Sequence, residues 1–224
     1  MMDPTFTAAL VIDAIFLATG CIQLGFCLVV QSQLGTKGNN GQDTVRNLLY
    51  EWLPLKLGIV NAVFILFTFL FTIPGFSMPG RSVLKTSSWM VMFCGLFTLI
   101  VGVYVWILTL KVKLWFGPVF MAQDAPTQSL IQKTFNCCGY LNSTSPAFIT
   151  DETCPSPAAA ALTRGCSSFI STFGNTVLDE IFTALFGMVG VDFLLVMAMA
   201  CVLKVRLERE RYRIIDQKNG FKPI

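Results

Sequence analysis

The stretch F-N-C-C-G-Y-L-N-S-T-S-P, residues 135–146, places two adjacent cysteines, a glycine and an N-S-T triplet inside a chain that is otherwise strongly apolar. Neighbouring Cα atoms stand about 3.8 Å apart, below the usual disulfide range, so Cys137 and Cys138 must each pair elsewhere. Cys154 and Cys166 follow before the chain turns apolar again. Two pairings remain: Cys137–Cys166 with Cys138–Cys154, or Cys137–Cys154 with Cys138–Cys166. Either one closes loops of a few tens of residues, worth about 3–4 kcal/mol by chain entropy. A four-cysteine zinc site is the competing reading. Zinc sites usually separate paired cysteines by two to four residues, and a loop outside the cell is oxidising, so a disulfide framework is expected and no metal or cofactor.

The 224-residue chain is 54% hydrophobic and only 13% charged, about half the charge of an ordinary soluble domain. Four apolar blocks stand out, at 8–30, 53–73, 88–110 and 181–203. Each has about 21–23 residues and, at ~1.5 Å per residue, reaches across a ~30 Å hydrocarbon layer. Too little polar sequence remains to coat a soluble core built from four such helices. The N-terminal M-M-D-P-T-F-T lacks the basic region of a signal peptide, so the first block is expected to be a retained span. The predicted class is therefore an all-α membrane protein, a four-helix bundle with a disulfide-stabilised large extracellular loop. The remaining segments are 1–7, a small loop at 31–52, a short connection at 74–87, the large loop at 111–180 and a tail at 204–224.

Basic residues in short flanking segments orient spans. Arg81 and Lys85, with Lys204, Arg206, Arg209, Arg211, Arg213, Lys218 and Lys222, would face the cytosol; Lys37, Arg46, Lys111 and Lys113 would lie opposite. Both termini are thus expected in the cytosol, in the plasma membrane or in endosomal or vacuolar membranes. Asn142-Ser143-Thr144 then falls outside, as an N-glycosylation acceptor.

Within the large loop, the third span should continue outward over 111–122 until Pro118 and Pro126 perturb it. A short helix is expected over 127–135, capped by Thr127. Gly139 should serve a turn that a β-carbon would obstruct. The Ser-, Thr-, Pro- and Ala-rich 141–164 segment buries little by itself. Phe169, Ile170, Phe173, Val177, Leu178 and Ile181 recur at helical spacing, predicting a helix that runs into the fourth span and packs on the extension of the third.

Four spans, a small and then a large outer loop, and Cys137-Cys138-Gly139 early in the large one resemble the tetraspanin family. Leu130, Gln132 and Phe135 before the motif, the interior Cys154, and Gly165-Cys166 before the last span extend the resemblance over the whole chain. It implies the nested pairing, Cys137–Cys166 with Cys138–Cys154. It also implies a non-enzymatic membrane organiser whose large loop, around 140–163, contacts partner membrane proteins, including itself or other tetraspanins. Family members often carry Asn in the first span and an acid in the fourth, and some hold a sterol between spans. Asp13, followed by Phe16 and Gly20, is similar to the first-span pattern with Asp for Asn, so a sterol would meet Asp13 and Asp192. The spare cysteine pattern resembles fungal tetraspanins linked to host penetration, implying a role in infection-related development.

Asp13, Asn61 and Asp192 are costly in lipid, roughly 2.5–3.5 kcal/mol for a carboxylate, and should face the bundle interior. Asn61 sits at the depth of Asp192 and is its expected hydrogen-bond partner. The alternative function drawn from these three residues is a small multi-span transporter or channel subunit. Histidine is absent, and no nucleophile has a visible base, so no enzyme is predicted. Cys201, three residues before Lys204, is the first S-palmitoylation candidate, and Cys94 the second. The basic tail should favour anionic membrane lipid and gives no reason to expect nucleic acid. Tyr212 and Ile215 fit a Y-x-x-Φ sorting pattern.

Overall fold

The computed structural model describes residues 4–34, 38, 40–78, 80–144 and 147–218. Ser145 and Pro146 of the opening stretch, Lys37 and Lys222 lie outside them. Seven helices are seen among the described residues: α1 (Pro4–Gln33), α2 (Gly41–Glu51), α3 (Leu55–Ser77), α4 (Arg81–Met121), α5 (Ala125–Phe135), α6 (Pro157–Leu162) and α7 (Ser167–Lys218). No strand occurs among the described residues; one isolated antiparallel bridge joins Thr144 and Ala147.

Helices α1, α3, α4 and α7 are long and apolar enough to cross a membrane. Only about a third or less of each apolar window is buried within the protein, and large side chains such as Val60, Leu70, Phe93, Leu96 and Phe193 are exposed on their flanks. Water would penalise such a surface by about 25 cal/mol per Å², whereas lipid tolerates it. The chain is read as an integral membrane protein on this ground.

By internal contacts the chain divides into two compact units. The first comprises Met1–Leu28, Lys56–Val101 and Leu185–Ile224. Its core takes residues from all four long helices, including Ala9, Phe16, Ile65, Phe76, Val91, Cys94, Leu195 and Met199. Gly20 lies so close to Ile65 that a β-carbon there would press on its side chain, which is how small residues let membrane helices approach. Pro74 stands three residues before the end of α3; it has no N–H to offer the Leu70 carbonyl, while its own carbonyl still accepts Met78 N–H at 2.9 Å. One helical turn of α4 closes over this end, with the Ser87 hydroxyl 2.9 Å from the Phe71 carbonyl.

The second unit comprises Val29–Leu55 and Gly102–Ala184. Here α4 runs through Pro118 to Met121 instead of being disturbed there; like Pro74, Pro118 falls in a last turn. Helix α5 starts two residues earlier than expected. Asp124 is its N-cap and Pro126 lies in its first turn, a position that needs no N–H and suits proline. The Thr127 cap is therefore replaced by Asp124. Helix α7 starts directly after Cys166 and continues without a break to Lys218. In its outer part Gly174 lies against Val112 of α4 and Leu49 of α2, so this helix does pack on the extension of α4. Helix α2 buries Val45, Leu48 and Leu49, and its first residue accepts α5 at close range, with Gly41 N–H donating to Thr134 Oγ1 at 3.2 Å.

Candidate functional site

The segment between α5 and α7 is built outward from the two cysteines. Helix α5 ends at Asn136, a left-handed residue with φ 50°, and Cys137 N–H donates back to the Gln132 carbonyl at 3.1 Å. Asn is among the few side-chain-bearing residues that adopt this conformation cheaply. Gly139 is also left-handed, at φ 71°, a conformation that a β-carbon would strain. These two turns aim the paired cysteines at different targets. Cys137 joins Cys166 and Cys138 joins Cys154, and all four are fully buried. Cys138 N–H donates to Arg164 O at 3.1 Å, and Cys166 N–H to Gly139 O at 3.0 Å. The returning segment passes so closely that a β-carbon on Gly165 would collide with the Leu141 carbonyl.

Gln132 is the polar centre of the segment and is fully buried. Its amide oxygen accepts Ile149 N–H at 3.1 Å while its amide nitrogen faces Ile149 O at 2.9 Å and Asp151 Oδ2 at 3.1 Å. The side chain thereby imitates a paired strand for a stretch that has none. Asp151 holds the next turn, its Oδ1 accepting Thr153 N–H at 2.9 Å and Cys154 N–H at 2.8 Å. Around the Cys138–Cys154 bridge, Ala160 and Phe148 complete a small apolar cluster. Helix α6 supplies Ala160; Ser156 caps it by accepting Ala159 N–H at 3.2 Å, with Pro157 as its first residue.

Tyr140 was expected on the partner surface, but it is only 2% exposed. Its hydroxyl donates to Lys113 O at 2.8 Å, and its ring packs on Phe120 and against Gly117. Burial pushes the phenol up to about 12. The folded state thus favours the neutral phenol, a contribution fully present below the unfolded value near 10 and lost as pH rises from there through about 12. In an alkaline titration of tyrosinate absorbance, Tyr140→Phe should remove the latest-ionising step and leave the earlier ones.

Among what the segment exposes are two large apolar side chains. Leu162 is 91% exposed and Leu141 54%. Asn142 is exposed, and its side-chain oxygen accepts both the N–H and the hydroxyl of Thr144 at 3.0 Å.

Comparison with known proteins returned no match: no family model, no curated protein and no solved structure.

In the first unit, the three polar span residues are all buried but are not brought together as expected. Asn61 donates to Thr98 Oγ1 at 2.8 Å and Gln23 Oε1 at 3.2 Å, not to Asp192. Asp192 instead packs against Gly95, about one turn from Thr98 along α4, and neither of its carboxylate oxygens has a hydrogen-bond partner. Asp13 accepts from Thr72 Oγ1 at 2.9 Å. Gln23, Thr72 and Thr98 were missed in the sequence because each is an ordinary span residue until its facing helix is known. Asn61→Leu should lower the melting temperature in detergent, since the buried Gln23 oxygen loses its donor and Thr98 keeps only its bond to the Cys94 carbonyl, at about 1–3 kcal/mol. Asp192→Asn should leave it unchanged or raise it, since no native bond is broken.

Cys201 is exposed, whereas Cys94 is buried with its thiol 3.3 Å from the Thr68 hydroxyl, which removes Cys94 as an acylation candidate. Tyr212 and Ile215 are 67% and 51% exposed and lie within α7.

Proposed function

We propose that the chain is a tetraspanin-like membrane organiser that docks partner membrane proteins on residues 141–163 and assembles with them laterally through its spans. The observation that carries this reading is Leu162, 91% exposed on a short helix tethered by two buried disulfides. An isolated leucine on a surface is ordinary, but one presented on a rigid platform together with Leu141 suits a contact residue. The same reading places 111–180 outside the cell, with a glycan on Asn142, and both termini in the cytosol of a plasma-membrane protein. Its narrower form is support of infection structures in a fungus, which rests on the sparse cysteine pattern.

Affinity purification in mild detergent tests the proposal. Leu141→Ser with Leu162→Ser should remove specific membrane proteins from the co-purifying set while both disulfides stay formed. An unchanged set would refute docking through this segment. Asn142→Gln should raise the mobility of the secretory-pathway product on a denaturing gel.

A further inference from the structure

Where α3 ends and α4 begins, the last turns of α7 form a concavity of about 580 Å³, lined by Gly80, Arg81, Arg206, Arg209, Glu210 and Arg213. Residues 206, 209, 210 and 213 follow i, i+3, i+4, i+7 spacing and share one helix face. The lining holds four guanidiniums and one carboxylate, a net charge of +3. Glu210 is paired with Arg81 at 2.5 Å. The Arg206 side chain is held in place by the carbonyls that end α3: Phe76 O at 2.7 Å, Met78 O at 2.8 Å and Gly75 O at 3.1 Å. One charge is thus fixed in the wall by backbone, and another is fixed by an ion pair. Such an arrangement pre-positions cations instead of leaving them on free side chains.

We infer that this cradle binds the phosphomonoester headgroup of an anionic membrane lipid. Guanidinium forks match phosphate oxygens bidentately and bind them with charge-assisted bonds. A net +3 suits a multiply charged headgroup better than a single phosphodiester, and the volume lies in the ordinary range for a small-molecule site, roughly 300–1,000 Å³. The lipid source is chosen over a soluble phosphate by position. Met78, on the connection beside the cradle, and Trp89, about two turns along α4 from Arg81, are 52% and 53% exposed. The lipid-facing apolar surface therefore starts beside the arginines, and a headgroup in the cradle keeps its acyl chains against that surface.

The test uses the full chain in phosphatidylcholine nanodiscs containing a small fraction of headgroup-labelled phosphatidylinositol bisphosphate, with binding read by energy transfer from protein to label. Arg209→Gln with Arg213→Gln should weaken binding about tenfold. Lys204→Gln with Arg211→Gln, which removes the same charge from residues outside the cradle, should change it less than twofold. Equal losses in both pairs would mean diffuse attraction to a basic tail and would overturn the proposal. Glu210→Gln, which frees Arg81, should tighten binding. Soluble inositol trisphosphate should compete only at far higher concentration. Competition at equal concentration would make the site one for free phosphate esters, and displacement by an acidic peptide alone would make it a protein contact; either overturns the lipid assignment.

Discussion

Replacing Cys137 and Cys166 together by serine is expected to destabilise the second unit by about 3–4 kcal/mol, the largest effect of any change at the candidate site. The bridge spans 29 residues against 16 for Cys138–Cys154, and loop entropy alone makes the longer one the greater contributor by about 0.5 kcal/mol. Both bridges are buried, so serine also leaves hydroxyls needing partners. Limited proteolysis of the 137–166 segment gives the readout: rapid cleavage in Cys137→Ser/Cys166→Ser, and slower cleavage in Cys138→Ser/Cys154→Ser. The reverse order would mean that the Cys138, Cys154, Ala160 and Phe148 cluster outweighs the wider constraint. In either case α4 and α7 should keep their helicity, because their apolar lengths do not depend on the bridges.

Gln132→Ala is the second large effect, about 2–4 kcal/mol. It strands the half-buried Ile149 N–H and carbonyl together and empties the buried site of the amide itself; an unpaired buried backbone group costs roughly 1–3 kcal/mol, an upper bound for each of these two. Hydrogen exchange should rise first at the amides of Ile149 and Cys154, the latter because Asp151 loses its Gln132 contact. Gln132→Glu separates hydrogen bonding from bulk. The introduced carboxylate can still accept Ile149 N–H but cannot donate to Ile149 O, and it faces Asp151. Stability at neutral pH should therefore fall at least as far as with alanine, and should partly recover in acid as the introduced carboxyl takes up a proton. If Gln132→Glu matched wild type at neutral pH, the amide would not be the link between α5 and the 149–154 turn.

The four apolar helices were legible because length and hydropathy in lipid leave one solution for the backbone. The cysteine spacing narrowed the bridges to two schemes. The nested scheme that the family resemblance implied is the one formed, and the turns at Asn136 and Gly139, which aim two adjacent side chains in different directions, are its physical reason. Helix α6 was missed although its signals were present, a capping Ser156, Pro157 and four alanines; the surrounding Ser, Thr and Pro obscured them. Helix α2 was missed for another reason. Val45, Leu48 and Leu49 have helical spacing, but over 11 residues such a helix is marginal without the tertiary contacts it makes. The expected Asn61–Asp192 bond failed on rotation. Rise along a helix was estimated within a turn, but which way a side chain faces depends on how neighbouring helices pack.

The Arg206 guanidinium, bonded to the three carbonyls at the end of α3, also imposes an order of assembly. Its partners precede it by 128–131 residues in the chain. A ribosome therefore finishes α3 long before the group that caps it exists, and at synthesis rates of about 5–20 residues per second the wait is several seconds or longer. During that interval the carbonyls of Gly75, Phe76 and Met78 lack this donor, although Ser87 of α4 can already reach the Phe71 carbonyl. A nascent chain stopped before residue 206 would hold all four long apolar helices nearly complete and still leave the end of α3 without its guanidinium.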